Sequence, residues 1–133
     1  MKKLYTSAAI NLYLHMGAHT GLELEWLDFV NSNDLRQSLT EALRLAKEHH
    51  IKSWIADNRL IRAVRPIDFE WMGEHIIPPL HQLGVRRMAV IESTDAVNRM
   101  GVNRFLQTVL PATAIELRYF QSVPEARLWA CSA

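Results

Sequence analysis

Apolar and polar positions alternate over residues 9–15, where Ile10, Leu12 and Leu14 are separated by Asn11 and Tyr13, a period of two that predicts a half-buried strand. Met16-Gly17-Ala18-His19-Thr20-Gly21 supplies a turn, and residues 22–29 alternate again, with Leu22, Leu24 and Trp26 against Glu23 and Glu25; the two runs read as a β-hairpin. The period then changes to that of a helix. Leu35, Leu39, Leu43 and Ala46 form one stripe up to about residue 49, with Ser32, Asn33 or Asp34 as the cap. Asp34 near its start and Lys47, His49 and His50 near its end suit the helix dipole. Ser53-Trp54-Ile55-Ala56 is too short for a helix and reads as a buried strand.

From residue 57 to residue 65 the pattern is lost, which predicts a long connection. Pro66 fits the first turn of a second helix with Phe69, Met72, Ile76 and Ile77 as apolar positions. Pro78-Pro79 must end or kink it, because a proline lacks the donor and clashes with the preceding turn. A short continuation to Leu83 stops at Gly84. Residues 88–91 form another buried strand, and Ser93-Thr94-Asp95 caps a third helix that runs to Leu110 before Pro111. Residues 115–119 alternate as a final strand, and Ser122-Val123-Pro124-Glu125 opens a last helix ending near Trp129. The order β-β-α-β-α-β-α-β-α predicts one α/β domain over residues 1–133. Its five-stranded sheet is mostly parallel, with an N-terminal hairpin, one antiparallel edge, right-handed crossovers and about four helices.

Composition narrows the function classes. The 133 residues carry 15 Lys+Arg against 14 Asp+Glu, a net charge of +1, which excludes a polybasic nucleic-acid arm. Cys131 is the one cysteine, so there is neither an internal disulfide framework nor a Cys-rich zinc site. No apolar run approaches the ~20 residues that span a bilayer, and no cleavage site follows Met1-Lys2-Lys3-Leu4. A reduced cytoplasmic setting is expected.

Three stretches carry a resemblance: Trp54-Ile55-Ala56-Asp57-Asn58-Arg59 ahead of a basic loop and Pro66; Arg86-Arg87-Met88-Ala89-Val90; and the close from Arg118-Tyr119-Phe120-Gln121 through Ser122-Val123-Pro124-Glu125 to Ala126-Arg127-Leu128-Trp129. Together they resemble the small bacterial STAS-like family, over most of the chain. That family has the fold of anti-sigma factor antagonists and also includes cytoplasmic domains of anion transporters. The resemblance implies a non-enzymatic domain that binds a protein, nucleotide or lipid. Anti-sigma factor antagonists carry a phosphorylatable serine in an Asp-Ser pair after the central strand. Here residues 56–79 contain no Ser or Thr, so the hydroxyl for such a phosphate switch is missing.

Asp57 stands at the carboxyl end of a buried strand, where open α/β sheets bind ligands. A phosphoaspartate receiver would use such a position with Ser93 or Thr94. It would also need acidic Mg²⁺ ligands after the first strand and a lysine after the last central one, where the chain instead has His15-Met16-Gly17 and Arg118-Tyr119-Phe120. A loop or cap aspartate is the plainer expectation. Arg59, Arg62 and Arg65 recur every third residue before a helix N-terminus, which suits a phosphate or carboxylate. They also suit a solvated edge over Leu60, Ile61 and Val64, and this is the favoured reading. Arg86 and Arg87 lie at the opposite end of a strand. The histidine pairs His15/His19 and His49/His50 lack the converging partners of a metal site. Cys131 is expected on a fraying tail that cannot scaffold a nucleophile.

Trp26, Trp54 and Trp129 read as core or interface anchors, whereas Trp71 joins Phe69, Met72, Ile76 and Ile77 in giving the second helix more apolar surface than one face needs. That helix must be sandwiched or meet a partner. A twofold homodimer, a partner protein and an apolar ligand pocket all fit, with the dimer preferred. The expectation is a non-catalytic regulatory or binding domain without cofactor or metal, its partner or ligand site drawn from Asp57, Arg59, Arg62, Arg65, Trp71 and Ile76. The alternative is a carrier of a lipid or other apolar small molecule whose anionic head meets the arginines.

Overall fold

The computed structural model describes residues 1–28, 30–62 and 64–133; Phe29, the expected end of the second strand, and Ala63 in the long connection lie outside them. Six strands form one sheet in sequential order: β1 (Lys2–Thr6), β2 (Ile10–His15), β3 (Gly21–Trp26), β4 (Ser53–Asp57), β5 (Arg87–Ile91) and β6 (Glu116–Phe120). β1, β2 and β3 pair antiparallel, and β3 to β6 pair parallel. The sheet thus has one strand more than expected, and the hairpin is the second half of a three-stranded meander with two antiparallel pairs. β1 escapes a periodicity reading because it is an edge strand whose register shifts between Lys3 and Tyr5. A bulge there breaks the alternation.

The helices are α1 (Ser32–Glu48), α2 (Pro66–His75), α3 (Ile77–Gln82), α4 (Ala96–Val109) and α5 (Val123–Cys131). Asn31, rather than Ser32, Asn33 or Asp34, caps α1, its Oδ1 accepting from the Asp34 amide at 2.8 Å. Pro78 and Pro79 occupy the first turn of α3, where a missing N–H costs nothing, so the expected kink is a helix restart. Asp95 caps α4 by accepting from the Val97 and Asn98 amides, and Ser122 caps α5.

Parallel strands added in one direction with right-handed crossovers place α1 to α4 on one face. The inward residues of that face, Leu12, Leu24, Trp54 and Val90 among them, join Leu35, Leu39, Leu80 and Leu106 in the main core. The register sends Ser53, Ile55 and Asp57 of β4 to the other face, which α5 covers. There Ala126 and Ala130 lie on Ile55, Ala89 and Ile91, a close approach that two alanines allow.

That small apolar contact is reinforced by polar ones. Arg127 on α5 donates from Nε and Nη2 to Glu23 on β3 at 2.6 and 2.9 Å, and His15 Nε2 lies 2.8 Å from the same carboxylate. Glu23 is 1% exposed. Burial pushes its carboxyl up, but hydrogen bonds from His15 and Arg127, with their charges, outweigh this and hold it at about 2. Ser53 Oγ donates to the Ala130 carbonyl, and Arg87 Nη1 donates to the Trp129 and Ser132 carbonyls. The Trp129 ring lies between the guanidinium groups of Arg87 and Arg118. Cys131 is the last residue of a docked helix, not of a fraying tail. It packs on the turn after β2, where a Cβ on Gly17 would stand 2.8 Å from the Cys131 carbonyl oxygen, and burial pushes its thiol up.

Glu23 gives a defined pH signature. Its carboxyl is lowered from 4.5 to about 2 on folding, so its contribution, about 3 kcal/mol, is complete above pH 4.5 and is lost as pH falls towards 2. Urea unfolding at stepped pH should show stability falling through that window, and less so in Glu23→Gln. At pH 7 Arg127→Met should cost about 3 kcal/mol, the low end for breaking a buried pair because His15 remains.

Candidate functional site

The carboxyl edge of the parallel strands is built by the connections after β4 and β5, stitched together by their own backbone. Asn58 N–H donates to the Ile91 carbonyl at 3.0 Å, Thr94 donates to the Arg59 carbonyl from its amide and its hydroxyl, and Ser93 Oγ donates to the Ile61 carbonyl at 3.0 Å. Ser93 and Thr94 therefore hold a loop. Asp57 is 2% exposed and takes a bidentate hydrogen bond from Arg59, Nε to Oδ1 at 2.9 Å and Nη2 to Oδ2 at 2.8 Å. The Arg59 amide also points at Oδ1, at 3.3 Å. Asp57 is thus the centre of a local clamp that fixes the exit from β4, the loop role expected of it.

The three arginines do not converge. Arg59 turns to Asp57, Arg62 reaches Asp28 at 2.6 Å on the surface, and exposed Arg65 occupies the N-cap position of α2 without a side-chain cap bond. Their spacing of three would align them on a helix, but this segment precedes α2, so their side chains diverge.

Trp71 and Ile76 stand on different sides of α2. Trp71 packs under Arg36 of α1, its ring 5.4 Å from the guanidinium carbon, and against His75. Beside it Asp68, 2% exposed, accepts from Ser32 Oγ at 2.7 Å and Arg36 Nε at 3.3 Å. Phe69 stacks on Phe105 of α4 and abuts Gly101, where a Cβ would stand 3.3 Å from its ring. Ile76 is buried. The apolar excess of α2 is therefore shared out among α1, α4 and the sheet.

Between α2, α4 and the sheet lies a cavity of about 80 Å³, lined by Trp54, Phe69, Met72, Ile76 and Phe105 with Asn58 as its one polar side chain. Ligand pockets run to roughly 300–1,000 Å³, so an acyl chain would require α2 and α4 to part. Around the same edge several large apolar side chains face solvent: Leu60, Ile67 at the start of α2, and Val97 and Met100 one helical turn apart on α4. Periodicity could have found this last pair, because Val97 and Met100 are apolar on the face opposite Asn98 and Leu106. Among the described residues no three His, Cys, Asp or Glu side chains gather as metal ligands, and no helix is long and apolar enough to cross a membrane.

Filling the cavity tests whether it is slack in the packing. Ala56, on β4 at its wall, replaced by Val adds two methyl groups in a strand that favours β-branching. Denaturant unfolding should show a gain of about 1 kcal/mol; a loss would mean that the wall is already tight.

No family model and no curated protein matches the chain. Among solved structures it is similar to an uncharacterized protein of the DUF3478 family from Shewanella loihica PV-4, described as having a SpoIIAA-like fold. The TM-score is 0.63 at 15% identity, with 96% of this chain and 98% of that one covered. The meander, the three parallel crossovers on one face and the single helix on the other are thus the SpoIIAA-like, STAS-like fold that the resemblance implied.

Proposed function

We propose that this chain is a non-catalytic regulatory or binding domain of the STAS type, working in the cytoplasm through protein–protein contact and forming a homodimer. Its interaction surface is the carboxyl edge, from the Asp57–Arg59 clamp along α2 to the start of α4. The observation that carries the reading is the company of exposed Leu60, Ile67, Val97 and Met100 around an edge whose two loops are hydrogen-bonded to one another. Apolar side chains in water beside a rigid, internally bonded loop suit association, because little ordering remains to be done on binding. Two of the candidate arginines are engaged within the chain, which argues for shape and apolar area over charge as the basis of recognition. With no Ser or Thr in residues 56–79, such a contact would not be switched there by phosphate.

The reading is tested by sedimentation equilibrium over a wide concentration range. Wild type should show a monomer–dimer equilibrium, and Val97→Asp/Met100→Asp should weaken it at least about tenfold while leaving the melting temperature in place. A chain monomeric throughout, or a dimer indifferent to both substitutions, would overturn the homodimer.

The cavity favours a second reading, a carrier of an apolar molecule. Its lining places Asn58, not the arginines, nearest to any polar group of such a ligand. Native mass spectrometry separates the two readings: a carrier releases a few hundred daltons on activation, and Ala56→Val should reduce that load.

A further inference from the structure

At the opposite edge of the sheet, where β4 and β5 begin, the chain forms a second cleft of about 420 Å³, lined by His19, Lys52, Ser53, Gly84, Arg86 and Arg87. Three segments meet there through backbone bonds. The amides of Lys52 and Ser53 donate to the Thr20 carbonyl at 2.8 and 3.2 Å, and the Arg86 amide donates to the Lys52 carbonyl at 2.8 Å. These bonds bring the turn after β2 against the first residues of both strands.

Every ionisable side chain in the lining is basic. Ser53 Oγ is engaged by the Ala130 carbonyl, and the Arg87 guanidinium by the Trp129 and Ser132 carbonyls. His19, Lys52 and Arg86 are different. Among the described residues none of them has a carboxylate within ion-pair distance; Lys2, Lys3, Lys47, Arg65, Arg99 and Arg104 also have none, but only the former share one cleft. Nor does Lys52 simply extend into solvent. Gly84 stands at φ +85°, and a Cβ there would lie 3.2 Å from Lys52 Nζ, so the ammonium rests against the backbone of the turn before β5. A residue with a side chain would be strained at that φ and would crowd the ammonium.

Like charges gathered in one concavity repel, and a multiply charged anion relieves that repulsion. A guanidinium, an ammonium and an imidazole lining one cleft suit the oxygens of a phosphate, which carries more charge than a carboxylate. We propose that this cleft is an anion site for a phosphate group, either of a small soluble phosphate compound or of a lipid headgroup. It is separate from the carboxyl-edge surface and independent of what binds there.

The test uses the full chain with two probes: inorganic pyrophosphate by calorimetry, and vesicles containing phosphatidic acid in a zwitterionic background by flotation. Lys52→Glu/Arg86→Glu reverses two exposed charges, and Lys3→Glu/Arg104→Glu makes the same net change elsewhere. Wild type should bind at least one probe, with affinity falling as salt rises. The first double variant should lose at least about tenfold, while the second should bind as wild type. Pyrophosphate binding identifies a soluble ligand; vesicle binding alone identifies a headgroup. Binding of neither probe, or equal loss in both double variants, would overturn the site. Circular dichroism checks the fold of each variant, and Lys52→Ala and Arg86→Ala singly replace the reversal if it unfolds the chain.

Discussion

A carboxylate enclosed in a sheet face needs cations, and in this protein that need decides where the last helix goes. Glu23 lies mid-strand on β3, on the face away from the main core, and is almost wholly buried. Its two principal partners come from different directions, His15 from the neighbouring strand and Arg127 from α5. The apolar contact of α5 centres on Ala126 and Ala130, and the Arg127 fork adds a directional bond to it. Around this pair the remaining polar latches fall into place: Ser53 on the helix carbonyls, Arg87 on the helix end, and Trp129 between two guanidinium groups.

The two faces of the sheet are therefore held by different physics. Under α1 to α4 the contacts are aliphatic and aromatic and tolerate a small cavity. Under α5 a compact apolar cluster is framed by charged, directional bonds. The edges differ as well. The carboxyl edge bonds its two loops to each other and leaves apolar side chains in water, which favours association. The amino edge leaves cations without carboxylate partners, which favours an anion.

Strands and helices with regular periodicity were readable directly from the chain. The alternation in residues 10–15 and 21–26, the α1 stripe, and the prolines at 66, 78, 79 and 124 all mark real features. Lys2–Thr6 was not readable, since an edge strand that bulges between Lys3 and Tyr5 has no two-faced pattern to read. The candidate site was legible in its place but not in its wiring. Asp57 does end a buried strand, but its bond to an arginine two residues on depends on how the chain turns after β4, which spacing does not encode. The regular interval of Arg59, Arg62 and Arg65 suggested convergence only because periodicity implies a helix, and the described residues there form none. Glu23 likewise reads as the polar half of an alternating strand, and only the docking of α5 buries it.

The ion pair between Glu23 and Arg127 spans 104 residues, whereas each strand of the sheet pairs with the next in sequence. Closing short loops before long ones costs less chain entropy, so the sheet and its four-helix layer can assemble by stepwise addition while α5 waits for β3 to β5 to exist. The last piece to arrive rests on a compact apolar cluster and on charged, directional bonds. Were the C-terminal helix to lift, it would bare the row of Ile55, Ala89 and Ile91 and leave the main core beneath the other helices closed.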